Sequence, residues 1–116
     1  YRLARDLTLV AAAAAKVQAI DTVFVNFRDS DGLREECRAA VRDGFTGKMA
    51  IHPGQVAVIN EAFTPTSEEI ALSEEIVQAF AAAPQAGVLG IRGHMVDRPH
   101  LARAERILAR ARAAGR

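Results

Sequence analysis

The sequence predicts an α/β protein, and two stretches carry that prediction. Met49-Ala50-Ile51 is a short apolar run with the look of a buried strand. It ends on His52, and Pro53 offers no ladder donor to continue it. After Gly54 the apolar positions Val56, Ile59 and Phe63 take helical spacing. Upstream, a β-like stretch between Val17 and Phe27 passes through Asp29-Ser30-Asp31-Gly32 into another helical pattern. A strand that presents a polar side chain at its C-terminal tip and turns at once into a helix is the repeating unit of α/β enzymes.

The chain has 116 residues, the length of one small domain, and half of them are hydrophobic. The net charge is +1 with a pI near 8.2. Charge therefore makes no case for a nucleic-acid or membrane partner. A single cysteine, Cys37, excludes an internal disulfide and suits a reducing compartment, the cytoplasm. No apolar run approaches the length of a membrane span. The chain begins on Tyr1 and its first helix follows at once, so a piece of a longer protein is expected.

Taken in order, Leu3, Leu7, Val10, Ala14 and Val17 recur every three or four residues and predict an amphipathic helix over roughly 2–15. The next strand has two readings, about 22–27 or about 17–21, and the residues alone favour the first. Asp29 to Gly32 is turn and N-cap chemistry, with Asp29 and Asp31 as caps. Leu33, Cys37, Ala40 and Val41 line a helix ending at Gly44, a glycine suited to the left-handed C′ position.

Lys48 to Ile51 reads as a strand and 54–62 as the helix after it. Pro65 breaks the chain, and Thr66 with Glu69 forms a capping box for a helix reaching about Ala83. Val88 to Ile91 and His94 to Val96 flank Gly93, as a short extended segment or hairpin. Asp97-Arg98-Pro99 then opens a last helix. Leu101, Ala104, Ile107, Leu108 and Ala111 form its apolar face, and Arg103, Arg106, Arg110 and Arg112 lie opposite.

The run GKMAIHPGQVAVINEAFTP, with IDTVFVNFRDSDGL before it and GHMVDRPHLARAERIL after it, resembles the C-terminal part of the citrate lyase beta-subunit family. That family sits in the aldolase superfamily with malyl-CoA and citramalyl-CoA lyases. The resemblance runs from about Leu7 to Ala111. It implies the last two βα units of a TIM (β/α)8 barrel over residues 1–63, and a C-terminal helical or lid extension over 64–116 contributing to the neighbouring subunit's active site. It also favours the strand over 17–21, with Asp21 at its tip.

Barrel enzymes place their chemistry at strand C-termini and the loops that follow. That rule selects Asp21, His52 and the loop from Asn26 to Asp29. A histidine at a strand end is ordinarily a hydrogen-bonded structural residue, since either ring nitrogen can serve backbone groups. The Ile-His-Pro match implies instead that His52 and Pro53 line a coenzyme A pocket. Asp21 is an ordinary strand-end carboxylate on its own; the resemblance brings it near the active-site mouth, orienting substrate or holding a loop.

Asp97 is a good N-cap. The family's Gly-Lys-Met-Ile-Asp loop also supplies a catalytic aspartate to an adjacent subunit, and here that loop stands as Gly93-His94-Met95-Val96-Asp97. His94 replaces the usual lysine, and Arg92 stands where an aspartate is common. The arginine face of the last helix reads as solvated surface, with coenzyme A phosphates or an acidic subunit surface as the alternatives. Cys37 reads as core.

The resemblance implies a Mg²⁺-dependent carbon–carbon lyase that cleaves or condenses a 3-hydroxyacyl-CoA thioester, such as malyl-CoA or citramalyl-CoA, into acetyl-CoA and a 2-oxo acid. The expected assembly is a homo-oligomer, trimer or hexamer, with Asp97 acting in trans. No metal ligand falls in this segment; the family's glutamate–aspartate pair lies upstream of it. Other readings are a citrate lyase beta subunit working on a citryl-acyl-carrier thioester, or a non-catalytic relative that binds coenzyme A.

Overall fold

The first helix, α1 (Arg2–Ala15), closes on Lys16, whose left-handed backbone (φ 57°) returns its N–H to the Ala12 and Ala13 carbonyls. The computed structural model describes all 116 residues. It divides into two units, Tyr1–Phe63 and Thr64–Arg116.

In the first unit, α1 is followed by β1 (Ile20–Asp21), α2 (Ser30–Asp43), β2 (Gly47–Lys48), a 3₁₀ turn over Pro53–Gln55, and α3 (Val56–Phe63). β1 and β2 pair in parallel, Ile20 opposite Gly47 and Asp21 opposite Lys48. With α2 as crossover, this is a βαβ unit followed by a further helix. Asp29 caps α2, its carboxylate accepting from the Gly32 N–H at 2.9 Å. A Cβ on Gly32 would lie 2.2 Å from that carboxylate, so a larger residue there would push the capping side chain aside. Gly44 ends the helix at φ 116°. Asp31 lies in the first turn and pairs with Arg34 at 3.1 Å, so Asp29 alone is the cap.

Two apolar clusters hold this unit together. Ala12, Ala19, Ala40 and Phe45 form one, with Leu9 and Phe63 against it. Leu33, Cys37 and Ile59 form the other, flanked by Phe24, Val58, Ala62 and Phe63.

Three expectations are corrected here. The face of α1 that packs carries Leu9 and Ala12, whereas Leu3 (71%), Leu7 (58%) and Val10 (67%) are exposed. Alanine at position 12 lets the helix approach closely, and the larger apolar stripe is left uncovered within this unit. The strand read over 48–51 pairs only at Gly47–Lys48, and Met49, Ala50 and Ile51 are exposed. Pairing stops because the chains part. The Asp21 carbonyl accepts the last interstrand bond, from the Met49 N–H at 3.1 Å, and the Ile51 N–H turns to the Gln55 side chain at 2.9 Å. The strand before it is Ile20–Asp21, within the 17–21 reading, and residues 22–27 run on as loop.

The second unit opens with α4 (Ser67–Ala82). Its Thr66–Glu69 capping box is complete, with bonds of 3.1 and 2.8 Å. β3 (Val88–Ile91) and β4 (His94–Asp97) pair antiparallel. Arg92 and Gly93 between them both have positive φ, 52° and 77°, the geometry of a tight two-residue hairpin turn. The Arg92 guanidinium is tethered to Glu75 at 2.8 Å. α5 (Arg98–Ala113) follows directly from β4. The core here is Ile76, Phe80, Ile91, Val96 and Ala104, with Leu72, Val77, Ala79, Leu89 and Leu101 packed on it. No helix is long and apolar enough to cross a membrane.

Candidate functional site

The parallel register sets Asp21 and Lys48 side by side, and their side chains are 1% and 0% exposed. Lys48 Nζ donates to Asp21 Oδ2 at 3.0 Å and to Glu36 Oε1 at 2.6 Å. Asp21 Oδ1 accepts from Arg5 at 2.5 Å and from the Thr22 N–H at 2.8 Å. Arg5 also lies over the Phe45 ring, 4.6 Å from its centroid. A buried carboxylate with three donors is a fixed charge and not a free ligand. Both Asp21 oxygens thus carry hydrogen bonds from the protein in this arrangement.

Burial alone would raise the Asp21 carboxyl. The bonds from Arg5, Lys48 and Thr22 outweigh it and hold the group below the ordinary carboxylate range. The same bond to Asp21 raises Arg5. A carboxyl held low in the fold contributes stability above its free value, about 3.9, and that stability is lost as pH falls through the lowered value. Acid unfolding of the wild type is therefore expected to steepen below about pH 4, and Asp21→Asn to flatten that part of the curve. Circular dichroism across the acid range checks it; identical slopes for the two proteins would contradict the assignment.

At the end of the same segment, the extended backbone of His52 (φ −148°) leads into the 3₁₀ turn. Its Nδ1 accepts the Gly54 N–H at 3.0 Å, so the neutral ring carries its proton on Nε2. A Cβ on Gly54 would come within 3.1 Å of that nitrogen. The imidazole stacks on Phe27, with centroids 4.7 Å apart and planes at 12°, and the Arg28 guanidinium lies 5.6 Å from the Phe27 ring centre. His52, Pro53 and Phe27 are all exposed. They make an open, flat, partly cationic rim. Gln55, 1% exposed, ties the rim together: its carbonyl takes the Ile51 N–H, and its amide donates to the Phe24 carbonyl at 2.8 Å.

Asp97 lies in the second unit, as the last residue of β4 and the N-cap of α5. Its Oδ1 is 2.6 Å from His100 Nδ1 and accepts the His100 N–H at 3.4 Å. The His100 side chain holds the carboxyl below its ordinary range. His94 and Arg92, the two departures from the family loop, are exposed on the hairpin.

The structure thus brings Asp21 to a buried ion cluster and His52 with Pro53 to an open rim, and it places Asp97 at a helix start. Lys48, Glu36, Arg5 and Gln55 were not singled out by sequence reasoning, whereas Phe27 lies in the loop it selected. Cys37 lies in the core, and burial pushes its thiol up, away from nucleophilic use. Arg110 is half-buried, with its Nε unpartnered. A cleft of about 420 Å³ beside α4 and α5, lined by Ile70, Glu74, Val77, Leu108, Arg112 and Arg116, holds none of the candidate residues. No group of three or more His, Cys, Asp or Glu side chains able to hold a metal forms in the chain.

A family profile, the C-C bond lyase of the TIM-barrel fold, matches residues 3–116. The mouse (Mus musculus) protein named citramalyl-CoA lyase, mitochondrial, is 47% identical over 107 residues, covering 90% of this chain and 32% of that protein. The citrate lyase subunit beta of Leuconostoc mesenteroides subsp. cremoris is 39% identical over 112 residues, covering 95% of this chain and 37% of that one. Among solved structures, protein CitE from Mycobacterium tuberculosis, crystallised with magnesium, acetoacetate and coenzyme A, superposes with a TM-score of 0.80 at 36% identity. That match covers 95% of this chain and 40% of CitE. The chain spans about a third of the length of the curated relatives it matches.

Proposed function

The chain belongs to the C-C bond lyases of the TIM-barrel fold, and from that premise we propose that it is the C-terminal part of a carbon–carbon lyase. The substrate is a 3-hydroxyacyl-CoA thioester such as citramalyl-CoA or malyl-CoA, and the products are acetyl-CoA and a 2-oxo acid. The likeness to citramalyl-CoA lyase along nearly the whole chain carries this reading. Likeness to citrate lyase subunit beta favours a second reading, in which the thioester is a citryl group on an acyl carrier.

Each candidate residue takes a role suited to its surroundings. Asp97 exchanges a proton with the methyl carbon of acetyl-CoA, across a subunit boundary in a homo-oligomer, a trimer or hexamer. The bond from His100 keeps Asp97 ionised, and covering by the neighbouring subunit raises its basicity through desolvation. His52 and Pro53 form the rim against which the coenzyme A thioester lies, with Phe27 behind the imidazole. Asp21, through Lys48, locks the two strand tips and holds that rim in place. The exposed stripe of Leu3, Leu7 and Val10, together with Val25, Met49 and Ile51, packs against the rest of the barrel. Mg²⁺ belongs to the whole enzyme on this reading, with its ligands upstream of this segment. The protein works in the cytoplasm on this reading.

The test is product analysis with the complete enzyme on malyl-CoA, citramalyl-CoA and a citryl-carrier thioester. Acetyl-CoA and a 2-oxo acid are expected from one of the coenzyme A substrates. Cleavage of the carrier thioester alone would favour the second reading, and release of free coenzyme A without carbon–carbon cleavage would sink both. In the same assay His52→Ala is expected to raise KM for the thioester by more than it lowers kcat. Collapse of kcat at unchanged KM would give His52 a proton-transfer role instead.

A further inference from the structure

We propose that His100 positions Asp97 for proton exchange by occupying Oδ1 and leaving Oδ2 as the oxygen that meets the carbon-bound proton. The proposal rests on the reading of Asp97 as the acid–base group.

Two donors from one residue converge on Oδ1, the ring Nδ1 at 2.6 Å and the backbone N–H at 3.4 Å, while Oδ2 takes part in neither contact. Held through Oδ1 by two donors, the carboxylate presents Oδ2. Nδ1 also lies 3.1 Å from the Asp97 N–H. One nitrogen cannot accept from that N–H and donate to Oδ1 together. The shorter contact, to an ionised oxygen, requires a proton between the atoms and so assigns it to Nδ1. Pro99 fixes the backbone between the two residues, which makes the three-residue reach rigid. Arg98, the adjacent cation, is turned away, onto the Pro84 carbonyl at 2.6 Å and the Phe80 ring at 5.0 Å. His100 is therefore the group that orients the Asp97 charge.

In the condensation direction the methyl C–H bond breaks and an O–H bond forms at Oδ2. The electron pair stays on carbon as the enolate of the thioester. Cleavage runs the same changes backwards, and His100 keeps its proton throughout.

The experiment compares His100→Leu and His100→Gln in the complete enzyme. Gln keeps an N–H able to reach Oδ1 and is itself a good capping-box residue, whereas Leu has no donor. A hydrogen bond to a charged group corresponds to about a tenfold effect or more. His100→Leu is expected to lose at least about tenfold in kcat with KM held within about twofold, and His100→Gln to recover most of it. Wild-type kcat in His100→Leu, a parallel change in kcat and KM, or a Gln variant no better than Leu would overturn the assignment. Should His100→Leu fail to fold, His100→Ala supplies the donor-free arm: a loss of at least about tenfold in kcat supports the role, and wild-type kcat overturns it. The premise fails separately. Full turnover in Asp97→Asn removes the acid–base reading itself, whereas an inactive Asp97→Asn beside a fully active His100→Leu removes only the role of His100.

Discussion

Asp97→Asn in the complete enzyme is expected to lose about 10²–10⁴-fold in turnover, the usual worth of a positioned acid or base. Its melting midpoint should stay near wild type. Asparagine caps a helix about as well as aspartate, and its side-chain oxygen can still accept from the His100 N–H. The helix start therefore survives while the exchangeable proton is lost, which separates the cap from the chemistry. Because Asp97 would serve an adjacent subunit, mixing Asp97→Asn subunits with subunits inactivated elsewhere in the site should restore part of the activity. Loss without restoration would keep the role and refute its delivery in trans.

The second large effect is on stability. Lys48→Met leaves Asp21 and Glu36 without the ammonium group that joins them, while Arg5 and Thr22 still hold one Asp21 oxygen. Arg5 still neutralises Asp21, so the cost is that of lost hydrogen bonds to charged groups, about 1.5–3 kcal/mol. Denaturant unfolding of the complete protein should show a loss of that order. The double variant Lys48→Met/Asp21→Asn should recover part of it, since no buried charge is left facing an apolar neighbour. A Lys48→Met protein within about 1 kcal/mol of wild type would mean that the cluster is solvated and not the lock described here.

What was legible in the sequence was what lies within one helical turn. The caps at Asp29, Thr66 and Asp97 and the left-handed Gly44 were readable because donor and acceptor sit at most about four residues apart. The hairpin around Gly93 was readable for the same reason. Contacts between distant residues were not. Lys48 meets Asp21 across 27 residues, and Gln55 meets Phe24 across 31, so neither pairing leaves a local pattern. The packed face of α1 was misread because the spacing of Leu3, Leu7 and Val10 marks a stripe that is apolar, and nothing in a spacing says what covers it. The length of β2 was overestimated because an apolar run signals burial, whereas strand pairing needs a neighbour, and the Gln55 side chain takes the Ile51 N–H instead. Of the candidate site, the positions of His52 before a turn and Asp97 before a helix were readable from the residues, whereas Asp21 at a strand tip followed only from the family resemblance. That Asp21 is consumed by three donors, and that His100 holds Asp97 by one oxygen, appears only in three dimensions.

Isotope exchange at the acetyl-CoA methyl group tests the central claim most directly. The complete enzyme, incubated in D₂O with acetyl-CoA and the 2-oxo acid, should place deuterium on the methyl carbon, and Asp97→Asn should leave it unlabelled above the enzyme-free rate. Equal labelling by the two proteins would contradict the account, because the proton would then move without the carboxylate that this chain supplies.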